Sequence, residues 1–132
     1  MNTDKVHSEV PTYPEADLSE RILGAAFKVH NTLGAGFMEK VYENALVHEL
    51  RKDKATVEQQ KAIQVKYDGI VVGDYQADLI VDRRILIECK AVAQFDPVHE
   101  AQLLNYLRAT GIHVGLLLNF GRPKLQYRRL VL

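Results

Sequence analysis

Two carboxylates and a lysine lie close together in residues 75–90, which read YQADLIVDRRILIECK. Asp78 lies in one apolar run, and Glu88 and Lys90 lie in the next, after a polar break at residues 82–84. Apolar runs of this length with a polar break between them predict two strands joined by a short turn. The three charged side chains are therefore expected to belong to one hairpin.

The length of the turn determines how the two acids lie relative to one another. A three-residue loop places Val81 opposite Ile85, so the same ladder places Asp78 directly opposite Glu88. Because side chains alternate across a strand, Glu88 and Lys90 project from the same face. The pattern predicts two carboxylates side by side, with an ammonium one pleat away.

This grouping indicates phosphodiester cleavage. Like charges directly opposite one another on a sheet are unfavourable, so the pair needs a cation or a raised pKa. Carboxylate oxygens suit Mg²⁺ or Mn²⁺, which often complete their coordination with waters and a substrate phosphate. The backbone carbonyl of Cys89 is a further candidate ligand. Lys90 would position an attacking water and offset charge that develops on phosphorus.

The same residues also allow a purely structural interpretation. Asp78 and Glu88 would then be solvent-facing residues of a half-exposed hairpin, and Lys90 would simply pair with Glu88. Alternating charges are common on such strands, and an E-x-K tripeptide is a short signal. The rest of the chain has to decide between the two interpretations.

Composition limits the class of protein. The chain has 132 residues, 47% of them hydrophobic and 26% charged, as expected for one globular domain. Its 17 basic and 17 acidic residues give zero formal net charge, which counts against tight non-specific DNA binding by the whole molecule. The single cysteine excludes a disulfide framework and a cysteine-based zinc site. With neither a membrane-spanning run nor a signal-peptide pattern, we expect a cytoplasmic protein without membrane contact.

The elements that hold the hairpin can be placed from periodicity and turn signals. We expect a flexible leader at residues 1–17 and a single domain at 18–132. The expected elements are a helix capped by Asp17 or Ser19 and ending near Leu33, a helix from Phe37 or Met38 to Arg51, strands near 63–67, 70–72, 75–81 and 85–90, a helix between Asp96-Pro97 and Gly111, and strands at 114–119 and 125–132. The order is α-α-β-β-β-β-α-β-β.

Polar side chains on two of these helices could reach the hairpin. Glu39 and Glu43 stand four residues apart on the second helix, so at least one lies beside its core-facing stripe. Acids in a first helical turn also complement the helix dipole, without any catalytic role. Gln102 and Tyr106 likewise share one face of the third helix and could bring an amide and a phenol to a common point.

Taken together, these motifs resemble a known family. They are Gly36, Glu39 and Tyr42 in LGAGFMEKVYENAL, then Asp78, then Glu88-Cys89-Lys90, then Gln102 and Tyr106 in AQLLNYL. The chain resembles the GxxExxY family, which is assigned to the PD-(D/E)XK nuclease superfamily, over residues 18–132. The resemblance implies an α/β (α+β) fold with a restriction-endonuclease-like core, a mixed central sheet flanked by helices.

The resemblance also implies roles for the site residues. Asp78 and Glu88 would bind a divalent cation, Mg²⁺ or Mn²⁺, and Lys90 would be the catalytic lysine. Gln102 and Tyr106 would help to organise the active site and DNA. Glu39 is the motif's own acid and the first candidate for a helix ligand, with Glu43 as the alternative. Ala77 stands where the superfamily name has a proline, at a position that varies widely.

Two alternatives stay open beside a DNA-cleaving enzyme. One is a non-catalytic nucleic-acid-binding or protein-interaction module on a nuclease fold, which zero net charge favours and the intact set of acids and lysine disfavours. The other is a homodimer or a subunit of a larger complex, in which a partner supplies substrate affinity. The apolar residues 130–132 would then be an exposed edge that invites pairing, or else a covered strand.

Overall fold

A computed structural model describes residues 13–132 of the chain. These residues form helices α1 (Ala16–Leu33), α2 (Glu39–Lys52) and α3 (Pro97–Thr110) and strands β1 (Val57–Tyr67), β2 (Ile70–Val81), β3 (Ile85–Lys90), β4 (Val114–Asn119) and β5 (Gln126–Val131). The leader expected at residues 1–17 lies outside the described residues up to residue 12, and its last two residues already belong to α1. No helix in the described part of the chain is long and apolar enough to cross a membrane.

The strands form one mixed sheet in the order β1-β2-β3-β4-β5. Neighbouring strands are antiparallel except β3 and β4, which are parallel and are connected through α3. One hydrophobic cluster joins α1 and α2 to one face of the sheet, and a smaller cluster joins α3 to the other. The expected mixed sheet flanked by helices is confirmed.

The two central strands explain the unbroken apolar runs in the sequence. All six residues of β4 are buried, because helices cover both faces of the sheet there. On β3, Ile85, Ile87 and Cys89 pack on the α1–α2 side, and Leu86 packs on the α3 side. Alternation therefore directs Glu88 and Lys90 to the α3 side, on the same face as one another, as predicted.

The first hairpin is longer than the sequence indicated. The separate strands expected near 70–72 and 75–81 form the single strand β2, which runs through Gly73 and Asp74. The partner strand begins at Val57 rather than near Ile63, within a stretch that looks polar in the sequence. Much of this hairpin is exposed, and residues 57–61 lack the apolar alternation that reveals a half-buried strand.

The expected helix ends and turns are mostly confirmed. Asp96 caps α3 by accepting from the Val98 N–H at 2.9 Å, and Pro97 is the first residue of the helix. The Asp68-Gly69 turn joins β1 to β2 with positive φ at both residues, 53° and 76°. The cap predicted for α1 is wrong. Glu15 occupies that position without a capping hydrogen bond from its side chain, and Asp17 and Ser19 are helical.

Candidate active site

The site begins where β2 and β3 separate. Their ladder runs from Val81↔Ile85 to Leu79↔Ile87, which confirms the register predicted from the three-residue turn. Beyond it, the Asp78 N–H donates to Glu88 Oε2 at 2.9 Å, and the Cys89 N–H donates to Asp78 Oδ2 at 2.8 Å. Each carboxylate thus takes the place of a backbone partner on the opposite strand. These two hydrogen bonds fix both acids side by side where β2 and β3 separate.

Both carboxyl groups are shielded from water. Glu88 is only 5% exposed, and burial together with the charge of Asp78 raises its pKa to about 8. Asp78 is half-buried, and its pKa is also raised, first by burial and then by the charge of Glu43. The interpretation of these acids as solvent-facing residues paired with Lys90 is therefore wrong. Lys90 forms no salt bridge with Glu88, and Glu88 does not face solvent.

A third acid, Glu43, reaches the pair from α2. Its side chain is 3% exposed and accepts hydrogen bonds from Gln60 at 3.0 and 3.1 Å. The same Gln60 amide donates to Asp78 Oδ1 at 3.2 Å and so links the two acids. Glu39 is exposed at the rim of the cavity of about 700 Å³ that Glu43, Gln60 and Asp78 also line. Of the two helix acids, Glu43 is the buried one.

Gln60 is the residue that the sequence analysis missed. The pairs Gln59↔Leu79 and Lys61↔Ala77 leave it opposite Asp78, and its φ of 52° lies in the left-handed region that non-glycine residues rarely adopt. At this point the regular alternation of side chains between the two faces of the sheet is interrupted on β2. Ala77 packs on the α3 side, whereas Leu79, two residues on, packs on the α1–α2 side. Nothing in the sequence marks a glutamine in this conformation.

Lys90 and the Cys89 backbone lie next to the acids. The positive charge of Lys90 lowers the pKa of both Asp78 and Glu88, against the effect of burial. Among the described residues its ammonium forms no salt bridge or side-chain hydrogen bond. The Cys89 N–H is directed at Asp78, and in a strand the carbonyl of a residue points to the same side as its N–H. The Cys89 thiol is fully buried, and burial raises its pKa.

Gln102 and Tyr106 meet on α3, on the side of the sheet to which Glu88 and Lys90 are directed, as their spacing predicts. The Gln102 amide donates to Tyr106 Oη at 3.0 Å. Burial raises the pKa of Tyr106, and the negative charges of Glu88 and Asp78 raise it further. The phenol is thus electrostatically coupled to the two acids.

The oxygen atoms at this point fit a hard divalent cation. Within residues 13–132, no group of three His, Cys, Asp or Glu side chains could hold a metal ion by itself. Mg²⁺ does not require one, because it commonly uses one or two carboxylates together with waters and a substrate phosphate. Asp78 and Glu88 each use one carboxylate oxygen for a backbone N–H, and the other oxygen of each accepts no backbone hydrogen bond. Burial raises the pKa of both acids, and a bound cation would favour their charged forms.

Two solved structures are similar to this chain. The protein SSO0001 has 20% sequence identity and a TM-score of 0.53 over 70% of this chain and 50% of its own. An alkaline exonuclease, LHK-Exo from Laribacter hongkongensis, has 15% identity and a TM-score of 0.51 over 70% of this chain and 55% of its own. The chain spans about half the length of these two proteins. At identities this low, the structural similarity shows a shared fold.

The comparison with family models gives the classification. No curated protein matches the chain. The model described as the PD-(D/E)XK nuclease superfamily matches residues 16–130, from the first residue of α1 almost to the end of β5. This range contains both strands that carry the acids and both helices that contribute polar side chains. The chain belongs to the PD-(D/E)XK nuclease superfamily.

Proposed function

We propose that this protein is a Mg²⁺- or Mn²⁺-dependent nuclease that hydrolyses phosphodiester bonds in DNA. The observation that carries the proposal is the pair of hydrogen bonds that fixes buried Glu88 and half-buried Asp78 side by side. The Asp78 N–H donates to Glu88, and the Cys89 N–H donates to Asp78. Burying two adjacent acids is unfavourable unless a cation joins them. Lys90 lies two residues after Glu88 on the same strand and forms no salt bridge among the described residues.

Each residue then has a defined task. Asp78, Glu88 and the Cys89 carbonyl would hold the cation. When bound, this cation neutralises charge on the phosphate and lowers the pKa of the attacking water. Lys90 orients that water and stabilises the charge that builds up on phosphorus. Tyr106, held by Gln102, presents its hydroxyl to the substrate on the α3 side of the acids.

We assign the supporting helix acid to Glu43 rather than Glu39. Glu43 is held by Gln59 at 2.7 Å and by Lys40 at 3.0 Å, in addition to its bonds with Gln60. Such a fully bonded carboxylate keeps Asp78 oriented through the Gln60 amide that both acids share. Glu39 is exposed and is in a position to meet the substrate at the rim of the cavity.

We further assign the chain to the GxxExxY branch. Tyr42 is buried, and its hydroxyl donates to the Gly34 carbonyl at 2.5 Å. The hydroxyl oxygen of Tyr42 also accepts a hydrogen bond from the Phe37 N–H at 3.1 Å. The loop between these bonds contains Gly36 at a φ of 119°, which favours glycine. The glycine and tyrosine of the motif would thus shape the loop that starts α2, and α2 carries the helix acids.

The first test uses variants that remove charge but keep the hydrogen bonds. In Asp78→Asn and Glu88→Gln proteins, a side-chain oxygen can still accept the backbone N–H that the acid accepts. Mg²⁺ and Mn²⁺ are titrated by calorimetry into the wild type and the double variant, and plasmid and single-stranded DNA cleavage is assayed on the same samples. We expect the wild type to bind metal and cleave, and the variant to do neither. Metal binding or cleavage that survives in the variant would contradict the assignment.

A second test addresses the lysine alone. Lys90→Ala should lower the cleavage rate by at least about 100-fold, because it removes the cation nearest the developing charge. Metal binding should persist, since Lys90 is not a ligand. Lys52→Ala, at the exposed end of α2, is the matched control and should cleave like the wild type. Full activity in purified Lys90→Ala protein would exclude the proposed role.

A non-catalytic binding module on the same fold is the second candidate. Zero formal net charge favours a chain that works with a partner, either a second copy or another protein. A wild-type protein that binds no metal, even with DNA present, would favour this candidate over the enzyme.

A further inference from the structure

A cleft of about 1040 Å³ lies between α3 and the β1–β2 hairpin. Gln102, Tyr106 and Tyr75 form part of its wall, and Tyr75 lies on β2 only three residues before Asp78. The cleft therefore begins beside the acids and continues away from them along the hairpin. A substrate strand whose phosphate reaches the acids has this cleft as a path on the α3 side of the sheet.

Tyr75 supplies an exposed aromatic ring inside this cleft. It is 49% exposed, and its ring centroid lies 5.8 Å from that of the buried Tyr106. Gly73 also lies close to the ring, because a Cβ added there would lie only 3.0 Å from Tyr75 Cε2. The ring is thus supported by the strand and by a second aromatic while part of its surface stays open to the cleft.

The charge of the lining contrasts with that of the molecule. The lining residues include two cations, Lys66 and Arg108, and no carboxylate. Neither cation forms a salt bridge with another residue in the part of the chain that the structure describes. In a chain whose formal net charge is zero, this cleft is locally positive. An exposed aromatic face with cations on its two walls is how proteins hold a single nucleic-acid strand.

We infer that the cleft between α3 and the β1–β2 hairpin binds the unpaired bases of a DNA strand, with Tyr75 stacking on a base and Lys66 and Arg108 contacting phosphates. The inference rests on the proposed nuclease function and names the form of its substrate. Only an unpaired base offers a free face to Tyr75, since the bases of a duplex are already stacked on one another. Single strands and frayed ends should therefore be preferred to intact duplex.

The test measures binding separately from cleavage. Fluorescence anisotropy follows a short labelled oligothymidylate, and the same strand annealed to its complement, with Ca²⁺ as the only divalent ion. Tyr75→Ala should weaken single-strand binding about ten-fold through the loss of one stacked base. Tyr75→Phe, which keeps the ring, should bind like the wild type. Tyr67→Ala removes an exposed tyrosine from the same hairpin outside the cleft and should also leave binding unchanged.

The roles of Lys66 and Arg108 are tested through the salt dependence of DNA binding. Removing one phosphate contact flattens the dependence of log K on log salt by about 0.7 for a single strand. Lys66→Ala and Arg108→Ala should each show this change, whereas Tyr75→Ala should leave the slope as it is. Equal salt slopes in all of these proteins would contradict the phosphate contacts.

The remaining outcomes separate this inference from the proposed function. Equal affinity of wild type and Tyr75→Ala, equal weakening by Tyr67→Ala, tighter binding of the duplex, or no binding of the single strand would each overturn the cleft assignment. Cleavage of DNA in Mg²⁺ by a wild type that shows any of these results would leave the nuclease proposal standing. Binding that depends on Tyr75 in a protein that never cleaves would support the cleft and overturn the nuclease.

Discussion

Glu88 combines a structural hydrogen bond and a raised pKa in one side chain. One of its oxygens completes the backbone hydrogen bonding of β2, and the carboxyl group as a whole is buried against Asp78. The bond holds the side chain in place whether or not it is charged. Its charge state, in contrast, depends on pH, because burial raises its pKa to about 8, above neutrality. At the residue scale, the charge on Glu88 would link the stability of the fold to binding of the proposed cation.

This coupling predicts that the metal-free protein loses stability as the pH rises. The folded pKa of Glu88 is raised to about 8 from 4.5 in the unfolded chain, so the folded state binds more protons between these values. The contribution of Glu88 is therefore fully present below the unfolded pKa and is lost as the pH approaches the folded one. Urea unfolding with EDTA at about pH 6 and about pH 8.5 should differ by a few kcal/mol at most, with the lower pH more stable.

The Glu88→Gln variant provides the comparison, since its amide does not titrate. It should show a much smaller loss of stability over the same pH range. A variant that loses as much stability as the wild type would mean that another group is responsible.

At the scale of elements, the end of β4 holds the segment that follows Lys90. Buried Asn119 accepts from the Val92 N–H at 3.0 Å and donates to the Val92 carbonyl at 2.9 Å, so its amide acts as one more strand residue. Next to it, Gly121 packs so closely that a Cβ would lie 2.5 Å from Val92 N. These contacts set the direction in which the chain leaves β3 and thus help to position the lysine.

Asn119→Ala should accordingly cost about 2–4 kcal/mol of unfolding free energy, because it leaves the Val92 N–H and carbonyl without these bonds. The change is measured from urea unfolding midpoints. Gln126→Ala is the control, since it removes only a 3.1 Å contact to the same amide and should cost less. Equal costs for the two variants would show that the Val92 bonds are not the stabilising feature.

The features that the sequence predicts at this scale are those decided locally. Turn length and alternation are enough to pair Asp78 with Glu88, and helical spacing is enough to pair Gln102 with Tyr106. The choice between Glu39 and Glu43 depends on how α2 rotates against the sheet, which spacing cannot reveal. The conformation of Gln60 depends on strands that change pleat phase around it, and no local pattern records that change.

For the molecule as a whole, the formal net charge is zero, but acidic and basic side chains are concentrated in different cavities. The cavity beside α2 contains Glu39, Glu43 and Asp78, whereas the cleft beside α3 contains cations and no carboxylate. The superfamily fold places the separation of β2 and β3 between these two regions. A cation at that point would reduce repulsion among the acids, so its effect should reach the stability of the entire domain.

We therefore expect Mg²⁺ or Mn²⁺ to raise the melting temperature of the wild type by several degrees at about 100 times its Kd, equivalent to about 2.7 kcal/mol. Differential scanning calorimetry with increasing metal checks this prediction. The Asp78→Asn, Glu88→Gln double variant should melt at the same temperature with or without metal. A comparable rise in both proteins would indicate binding elsewhere.

The buried thiol of Cys89 has a practical consequence. It is the only cysteine of the chain, and its backbone N–H contacts Asp78 while its side chain lies in the core beneath α1 and α2. A thiol reagent can reach it only when β3 comes away from those helices, so the rate of labelling reports how often the centre of the sheet opens. Labelling of Cys89 in the native chain thus measures this opening without an introduced probe.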